Sequence, residues 1–126
     1  MTQTIEPQPI LRVLVVEDDA LMSALLGETL EGMGHEVCGY AGTEAAAVSA
    51  AAATSPGLMI VDSGLGEGSG ITAVDYIPLI GHVPHFFVSA NIALVRARKP
   101  KAVVLQKPYR VAELVQAIDV TLHFSG

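Results

Sequence analysis

Acidic, hydroxyl and ammonium side chains directly follow four apolar runs of the 126-residue sequence. These residues are Glu17, Asp18, Asp19, Asp62, Ser89 and Lys107. Carboxylates that lie close together repel each other, which shifts their pKa values unless a cation is present. Mg²⁺ accepts a few carboxylates plus water, and an ammonium group suits an anion bound beside the metal. Together these groups predict phosphoryl transfer, with Asp62 as the nucleophile that forms an aspartyl phosphate.

The elements that must position these residues are five short strands that alternate with helices. The strands are predicted at 11–16, 35–40, 58–61, 85–89 and 102–105. Strands that are apolar on both faces are typical of a parallel sheet, and the alternation with helices predicts helices on both sides of it. The carboxyl ends of such strands share one edge, where ligands bind. We therefore expect the polar residues to meet in one crevice.

Five helices are predicted between and after the strands. The first has an apolar face formed by Leu21, Leu25, Thr29 and Met33, with Met22, Leu26 and Leu30 beside it. Thr43 is predicted to cap a second helix at 44–53, and two further helices are predicted near 71–80 and at 92–99. The last helix has apolar residues at helical spacing. They are Val111, Leu114, Val115, Ile118 and Leu122.

Composition and charge exclude several classes of protein. Half of the residues are apolar and 16% are charged, which excludes a disordered chain, and the single cysteine excludes a disulfide framework. A net charge of −6 argues against nucleic-acid binding. Residues 1–9 lack the features of a signal peptide, and no apolar run is long enough to span a membrane. We expect one cytoplasmic domain over residues 10–124, preceded by a flexible extension at 1–9, with no membrane partner.

Four motifs resemble the receiver domain of bacterial two-component response regulators. They read Val-Val-Glu17-Asp18-Asp19, Ile-Val-Asp62, Val-Ser89-Ala90 and Gln-Lys107-Pro108-Tyr109. The resemblance covers about residues 10–124. It implies a three-layer, doubly wound α/β fold of the flavodoxin-like type, with a five-stranded parallel sheet of order 2-1-3-4-5 and five helices.

The resemblance implies a role for each acidic position. Glu17 and Asp18 match the pair that holds Mg²⁺, together with Asp62 and the backbone carbonyl of Gly64. Asp62 matches the phosphoacceptor. Asp19 is interpreted as a plain helix cap.

The resemblance also assigns the residues that respond to the phosphoryl group. Ser89 matches the hydroxyl residue that turns toward it, Lys107 the lysine that pairs with it, and Ala90 the small residue that leaves room. Ser89 stands where threonine is more usual. Val104 stands where an aromatic side chain usually swings inward, so Ser89 and the backbone near Ala90 would have to carry the conformational change.

Basic residues concentrate after position 95, and we interpret them as part of an output face. The predicted output face consists of Arg96, Arg98, Lys99, Lys101, Val104 and Arg110. By resemblance, the phosphoryl donor is a histidine kinase or a histidine phosphotransfer protein. The predicted downstream target is a protein, with an acidic surface where it meets this face, and a weak homodimer is a further expectation.

The resulting hypothesis is a stand-alone receiver that signals by protein–protein contact and is not a turnover enzyme. One alternative is a degenerate receiver that binds partners without phosphorylation. The other is a phosphohydrolase of the aspartyl-phosphate type. Such enzymes usually carry a second catalytic acid two residues after the nucleophile, where this sequence has Gly64.

Overall fold

Five strands alternate with five helices in the computed structural model, which describes residues 10–65, 68–77 and 83–124. The predicted extension at 1–9 lies outside the described residues. The strands are β1 (Arg12–Val16), β2 (Glu36–Ala41), β3 (Leu58–Asp62), β4 (His85–Ser89) and β5 (Val104–Gln106). The helices are α1 (Ala20–Gly32), α2 (Glu44–Thr54), α3 (Gly70–Tyr76), α4 (Ile92–Arg98) and α5 (Val111–Phe124).

All neighbouring strands are parallel, and their order in the sheet is β2-β1-β3-β4-β5. This confirms the predicted order and the doubly wound, flavodoxin-like fold. β1 and β3 lie inside the sheet and are buried on both faces, which explains why their sequences are almost continuously apolar.

Successive side chains of each strand point to opposite faces of the sheet, so the core divides into two layers. The layer under α1 and α5 contains Val13, Val15, Leu58, Ile60, Phe86, Val88 and Leu105. The layer under α2, α3 and α4 contains Leu14, Val16, Met59, Val61 and Phe87. In β1, β3 and β4 the layer of each buried residue follows from its position in the alternation, whereas β2 has a register irregularity opposite Val13 and Leu14.

The apolar face predicted for α1 is wrong. The helix buries Ser23, Leu26, Gly27 and Leu30, whereas Leu21 is 67% exposed and Leu25 is also exposed. Small residues face inward because a β2 side chain packs directly on Gly27, where an added Cβ would lie 2.0 Å from Tyr40 Oη. Leu21, Met22 and Leu25 consequently remain on the outside of the helix, whereas Leu26 and Leu30 are buried. Val111 and Val115 are likewise exposed on α5, although Leu114 and Ile118 are buried as predicted.

Several predicted boundaries also need correction. β5 was predicted at 102–105 but is Val104–Gln106, and β2 lies one residue later than the predicted 35–40. The helix predicted at 71–80 begins at Gly70 and extends to Tyr76, while residues 78–80 lie outside the described residues. Thr43 caps α2 as predicted, since its hydroxyl accepts a hydrogen bond from the Ala46 amide.

Candidate functional site

Glu17, Asp62 and Lys107 continue the alternation of the strands that precede them. Each lies two positions after a residue of the layer under α1 and α5, namely Val15, Ile60 and Leu105. Because alternate side chains share a face, all three point toward the same side of the sheet at its carboxyl edge. This brings together three residues from distant parts of the sequence.

The Lys107 ammonium group joins the two acidic side chains. Its Nζ lies 2.9 Å from Glu17 Oε1 and 2.5 Å from Asp62 Oδ2. The side chains of Glu17 and Asp62 are only 8% and 12% exposed. The pairs are therefore largely withdrawn from water, and their attraction is screened less than that of surface pairs.

Burial and charge both act on the pKa values in this crevice. Burial is the largest cause that raises the pKa of Glu17 to about 6, and the neighbouring Asp62 raises it further while Lys107 opposes the change. Burial disfavours the charged form of Lys107, but the two carboxylates outweigh it and raise the pKa of the ammonium group. Lys107 is therefore a permanent positive charge at neutral pH.

Three carboxylates could hold a cation at this edge. One oxygen from each of Glu17, Asp18 and Asp62 lies within 4.8 Å of the others. Asp18 is exposed, so the group opens to solvent on one side. Three carboxylates against one ammonium leave an excess of negative charge, and Mg²⁺ favours a few carboxylates with retained water. The donor set therefore fits Mg²⁺.

Asp19 is part of the acidic motif but has a different role. Its Oδ1 accepts hydrogen bonds from the amides of Leu21 and Met22, at 2.9 and 3.0 Å, and so caps α1. This confirms the interpretation of Asp19 as a helix cap.

The loop after β3 folds back against Asp62. Gly64 donates its amide to Asp62 Oδ1 at 3.0 Å, and the Gly70 amide donates to the Ser63 carbonyl at 3.2 Å. The chain passes so close at Gly70 that an added Cβ would lie 1.9 Å from the Asp62 carbonyl oxygen. A glycine is therefore required where the loop returns, and the role of the Gly64 carbonyl as a metal ligand remains a prediction.

Ser89 lies at the end of β4 but points away from the acidic crevice. Its hydroxyl contacts Ser63 and the backbone of Asn91, and no described hydrogen bond of that hydroxyl reaches Asp62 or Lys107. Ala90 is exposed, and it lines a cavity of about 500 Å³ together with Lys107 and residues of α1.

The residues of the predicted output face differ in their surroundings. Arg96, Lys101 and Arg110 are exposed. The side chains of Arg98 and Lys99 instead contact Asp75 of α3, Arg98 at 3.9 Å. Val104 is half-buried and packs against the layer under α2, α3 and α4.

Sequence reasoning missed three residues that organise the site and its surroundings. Ser63 bonds to Ser89, Glu44 Oε2 accepts the Ser69 amide at 3.0 Å, and Asp75 binds the end of α4. The alternation of β3 offered a signal for Ser63, because a serine two positions after Val61 must enter the layer under α3 and α4. No local pattern indicates the contacts of Glu44 or Asp75.

Comparison with known proteins identifies the family. The family model of the response regulator receiver domain matches residues 13–119, which include all four motifs. The chain belongs to this family. Receivers of this family act in two-component signalling, and the curated relatives of this receiver are regulators.

Two groups of relatives resemble this receiver. It is 34% identical over 116 residues to the phyllosphere-induced regulator PhyR of Methylorubrum extorquens, covering 89% of this chain and 43% of PhyR. It is 33% identical over 115 residues to the transcriptional regulatory protein PdtaR of Mycobacterium tuberculosis, covering 88% of this chain and 56% of PdtaR. The receiver thus spans about half the length of the curated relatives it matches.

Solved structures support the same fold. The receiver domain of Erythrobacter litoralis PhyR matches with a TM-score of 0.82 and 31% identity, over 91% of this chain and 92% of that one. PhyR from Brucella abortus matches with a TM-score of 0.84 and 28% identity, over 93% of this chain and 49% of that one. Within the described part of the receiver, no helix combines the length and apolar character needed to cross a membrane.

Proposed function

We propose that this receiver accepts a phosphoryl group on Asp62 from a histidine kinase or a histidine phosphotransfer protein. One observation carries the proposal: Asp62 Oδ2 lies 2.5 Å from Lys107 Nζ beside the carboxylates of Glu17 and Asp18. A nucleophilic carboxylate, a fixed cation and a potential metal site therefore meet in one crevice.

The proposed transfer uses groups already in place. A carboxylate oxygen of Asp62 attacks the phosphorus of a phosphohistidine. The phosphorus–nitrogen bond breaks, its electron pair returns to the imidazole nitrogen, and that nitrogen takes a proton from water. Lys107 then pairs with a phosphoryl oxygen, because its ammonium group already lies at the acceptor carboxylate. The aspartyl phosphate is the signal, so the receiver carries out a transfer to itself and is not a turnover enzyme.

Glu17, Asp18 and Asp62 are the residues that would hold Mg²⁺, with the backbone carbonyl of Gly64 as a further ligand. The ion would supply positive charge that offsets the negative charge of the incoming phosphoryl group. The closeness of the three carboxylates supports this assignment.

The surface beside the crevice suits a protein donor. Leu21, Leu25 and Val111 are exposed, and the cavity of about 500 Å³ that joins Leu25 and Val111 also reaches Lys107. A donor that covers these apolar side chains brings its phosphohistidine to Asp62. Leu25→Asp is expected to slow transfer from a phosphorylated histidine phosphotransfer protein and to leave labelling by acetyl phosphate unchanged. Equal slowing with both donors would contradict this docking surface.

We propose that the output is a protein contact in the cytoplasm. The related PhyR of Bartonella quintana is an anti-anti-sigma factor, which supports a protein target for this receiver as well. Arg96, Lys101 and Arg110 are exposed residues of the predicted output face with no described ion pair, and their charge favours an acidic partner surface.

Labelling with acetyl phosphate and Mg²⁺ tests the proposed function. The expected result is a lasting label on the parent protein and none on Asp62→Asn, which keeps the size of the side chain but removes the nucleophile. Continuous release of phosphate would indicate a phosphohydrolase. Absence of any label would indicate a partner-binding protein that is not phosphorylated.

A further inference from the structure

Two buried serines form a hydroxyl pair on the side of the sheet away from Asp62. Ser63 Oγ donates to Ser89 Oγ at 2.8 Å, and the two residues are 8% and 2% exposed. Ser63 lies two positions after Val61 and Ser89 two after Phe87, both in the layer under α2, α3 and α4. Because Asp62 belongs to the opposite layer, this arrangement turns the Ser89 hydroxyl away from the acceptor.

The hydrogen-bonding capacity of the Ser89 hydroxyl is fully used. It donates to the Asn91 carbonyl at 3.0 Å and accepts from the Asn91 amide at 3.0 Å as well as from Ser63. A serine hydroxyl has one donor hydrogen and two acceptor positions. Ser89 can therefore donate to a phosphoryl oxygen only after these bonds rearrange.

Ser63 is a fixed anchor for this pair because its backbone is held on both sides. Its amide donates to the Val88 carbonyl at 3.0 Å, and its carbonyl accepts the Gly70 amide and the Ser69 hydroxyl, at 3.2 and 3.3 Å. The side chain thus starts from a backbone tied to both β4 and α3. The Ser63 backbone therefore stays in place when Ser89 rotates.

A restraint of this kind matters for serine more than for threonine. Threonine is branched at Cβ and is stiff about its first side-chain bond, whereas serine is not. Ser89 has no γ-methyl group to limit its rotation, so its rotamer depends on the hydrogen bonds that its hydroxyl makes with Asn91 and Ser63.

We propose that Ser63 is a positioning residue that holds the Ser89 hydroxyl away from Asp62 and thereby sets the equilibrium of the switch. The proposal rests on the proposed function, in which Ser89 turns toward the phosphoryl group. Removing the Ser63 hydroxyl leaves only the two bonds to Asn91 to hold the Ser89 hydroxyl, so Ser89 turns more readily. The net contribution of one buried neutral hydrogen bond corresponds to a change of about twofold to tenfold in that equilibrium.

The first test measures the rotamer of Ser89 directly and needs no phosphorylation. Three-bond couplings of the Ser89 β-protons by NMR are expected to indicate one rotamer in the parent and in Ser63→Thr. In Ser63→Ala and Ser63→Cys the couplings should indicate averaging over several rotamers of Ser89. The exposed control Ser49→Ala should give the same couplings as the parent. Unchanged Ser89 couplings in both Ser63→Ala and Ser63→Cys would overturn the proposal, as would averaging in the parent.

The second test uses beryllofluoride with Mg²⁺ as a phosphoryl mimic. Ser63→Ala is expected to bind it about twofold to tenfold more tightly than the parent, because Ser89 no longer has to leave Ser63. In a Ser89→Ala background the same change should have no effect. If Ser63→Ala raises the affinity for beryllofluoride equally with Ser89 present and in the Ser89→Ala background, the proposal would be overturned. If neither the parent nor any variant binds beryllofluoride, that result would count against the proposed function. The Ser89 β-proton couplings of the first test would still decide the role of Ser63.

Discussion

Lys107 Nζ lies 2.5 Å from Asp62 Oδ2, although the two residues are 45 positions apart in the sequence. Their strands are not neighbours, because β4 lies between β3 and β5. Neighbouring strands are about 4.8 Å apart, so the long lysine side chain spans the end of β4. Ala90, two positions after Val88 in β4, lines the same cavity as Lys107.

The first prediction concerns the metal. Asp18→Ala is expected to weaken Mg²⁺ binding about tenfold or more, since it removes one of three clustered carboxylates. The free energy of unfolding without metal should stay equal or rise, because a repulsion is relieved. Calorimetric titration and urea denaturation measure the two quantities.

Glu31→Gln is the matched control for that experiment. Glu31 is an exposed acid near the end of α1, and its replacement removes the same charge outside the three-carboxylate cluster. Equal Mg²⁺ affinities for Asp18→Ala and Glu31→Gln would contradict the assignment of Asp18.

The second prediction concerns pH. The pKa of Glu17 is raised to about 6, so a proton competes with the cation below that pH. Mg²⁺ affinity is expected to be constant above about pH 7 and to fall about tenfold per pH unit well below pH 6. Glu17→Gln should remove this dependence. A midpoint near 4.5, the ordinary value, would contradict the effect of burial.

The same shift predicts how stability without metal depends on pH. Because the folded protein binds this proton more strongly than the unfolded chain, the Glu17 contribution is present below pH 4.5 and is lost as the pH rises through about 6. Urea denaturation of the parent and of Glu17→Gln over this range measures it. A difference between the two proteins that does not change with pH would contradict the prediction.

The third prediction concerns the loop that returns to Asp62. Gly70→Ala is expected to lower the free energy of unfolding by about 1–3 kcal/mol, because its Cβ would overlap the Asp62 carbonyl oxygen. Gly32→Ala is the control, since nothing lies within 4 Å of an added Cβ there. Gly32→Ala should leave the free energy of unfolding unchanged or raise it by up to about 1 kcal/mol. Equal destabilisation by the two changes in urea denaturation would refute the close approach at Gly70.

The fourth prediction concerns the output face. Arg96 and Lys101 are exposed and have no ion pair among the described residues, whereas Arg98 and Lys99 both pair with Asp75. Reversing Arg96 and Lys101 to glutamate is expected to slow association with a fluorescent polyglutamate peptide at low salt. The difference should shrink at 1 M salt, where the Debye length is about 3 Å.

Labelling of Asp62 by acetyl phosphate should be unaffected by that double reversal, which shows that the acceptor site is intact. Equal association rates for the parent and the reversed protein at low salt would show that these bases are ordinary solvated surface.

The sheet and most of the acidic crevice are predictable from sequence because both follow from the alternation of strand residues. The apolar runs define the strands, and Glu17, Asp62 and Lys107 each lie two positions beyond a buried residue. Parallel strands bring their carboxyl ends to one edge, so these residues meet without any specific contact having to be known.

Features that depend on the fit between elements are not predictable in this way. The buried face of α1 is set by how closely Tyr40 packs on Gly27, which the spacing of leucines does not indicate. The pairs that Asp75 forms with Arg98 and Lys99 join α3 to the end of α4 across more than twenty residues. The direction of the Ser89 hydroxyl depends on Ser63, 26 positions away.

Mapping of the phosphoryl group tests directly whether Asp62 is the acceptor. The receiver is labelled with acetyl phosphate and Mg²⁺, the acyl phosphate is reduced with borohydride, and the peptides are analysed by mass spectrometry. We expect that residue 62 alone is reduced to homoserine and that Asp62→Asn shows no such product. Reduction at Asp18 or at any other acid in place of residue 62, or labelling of Asp62→Asn at the parent rate, would contradict it.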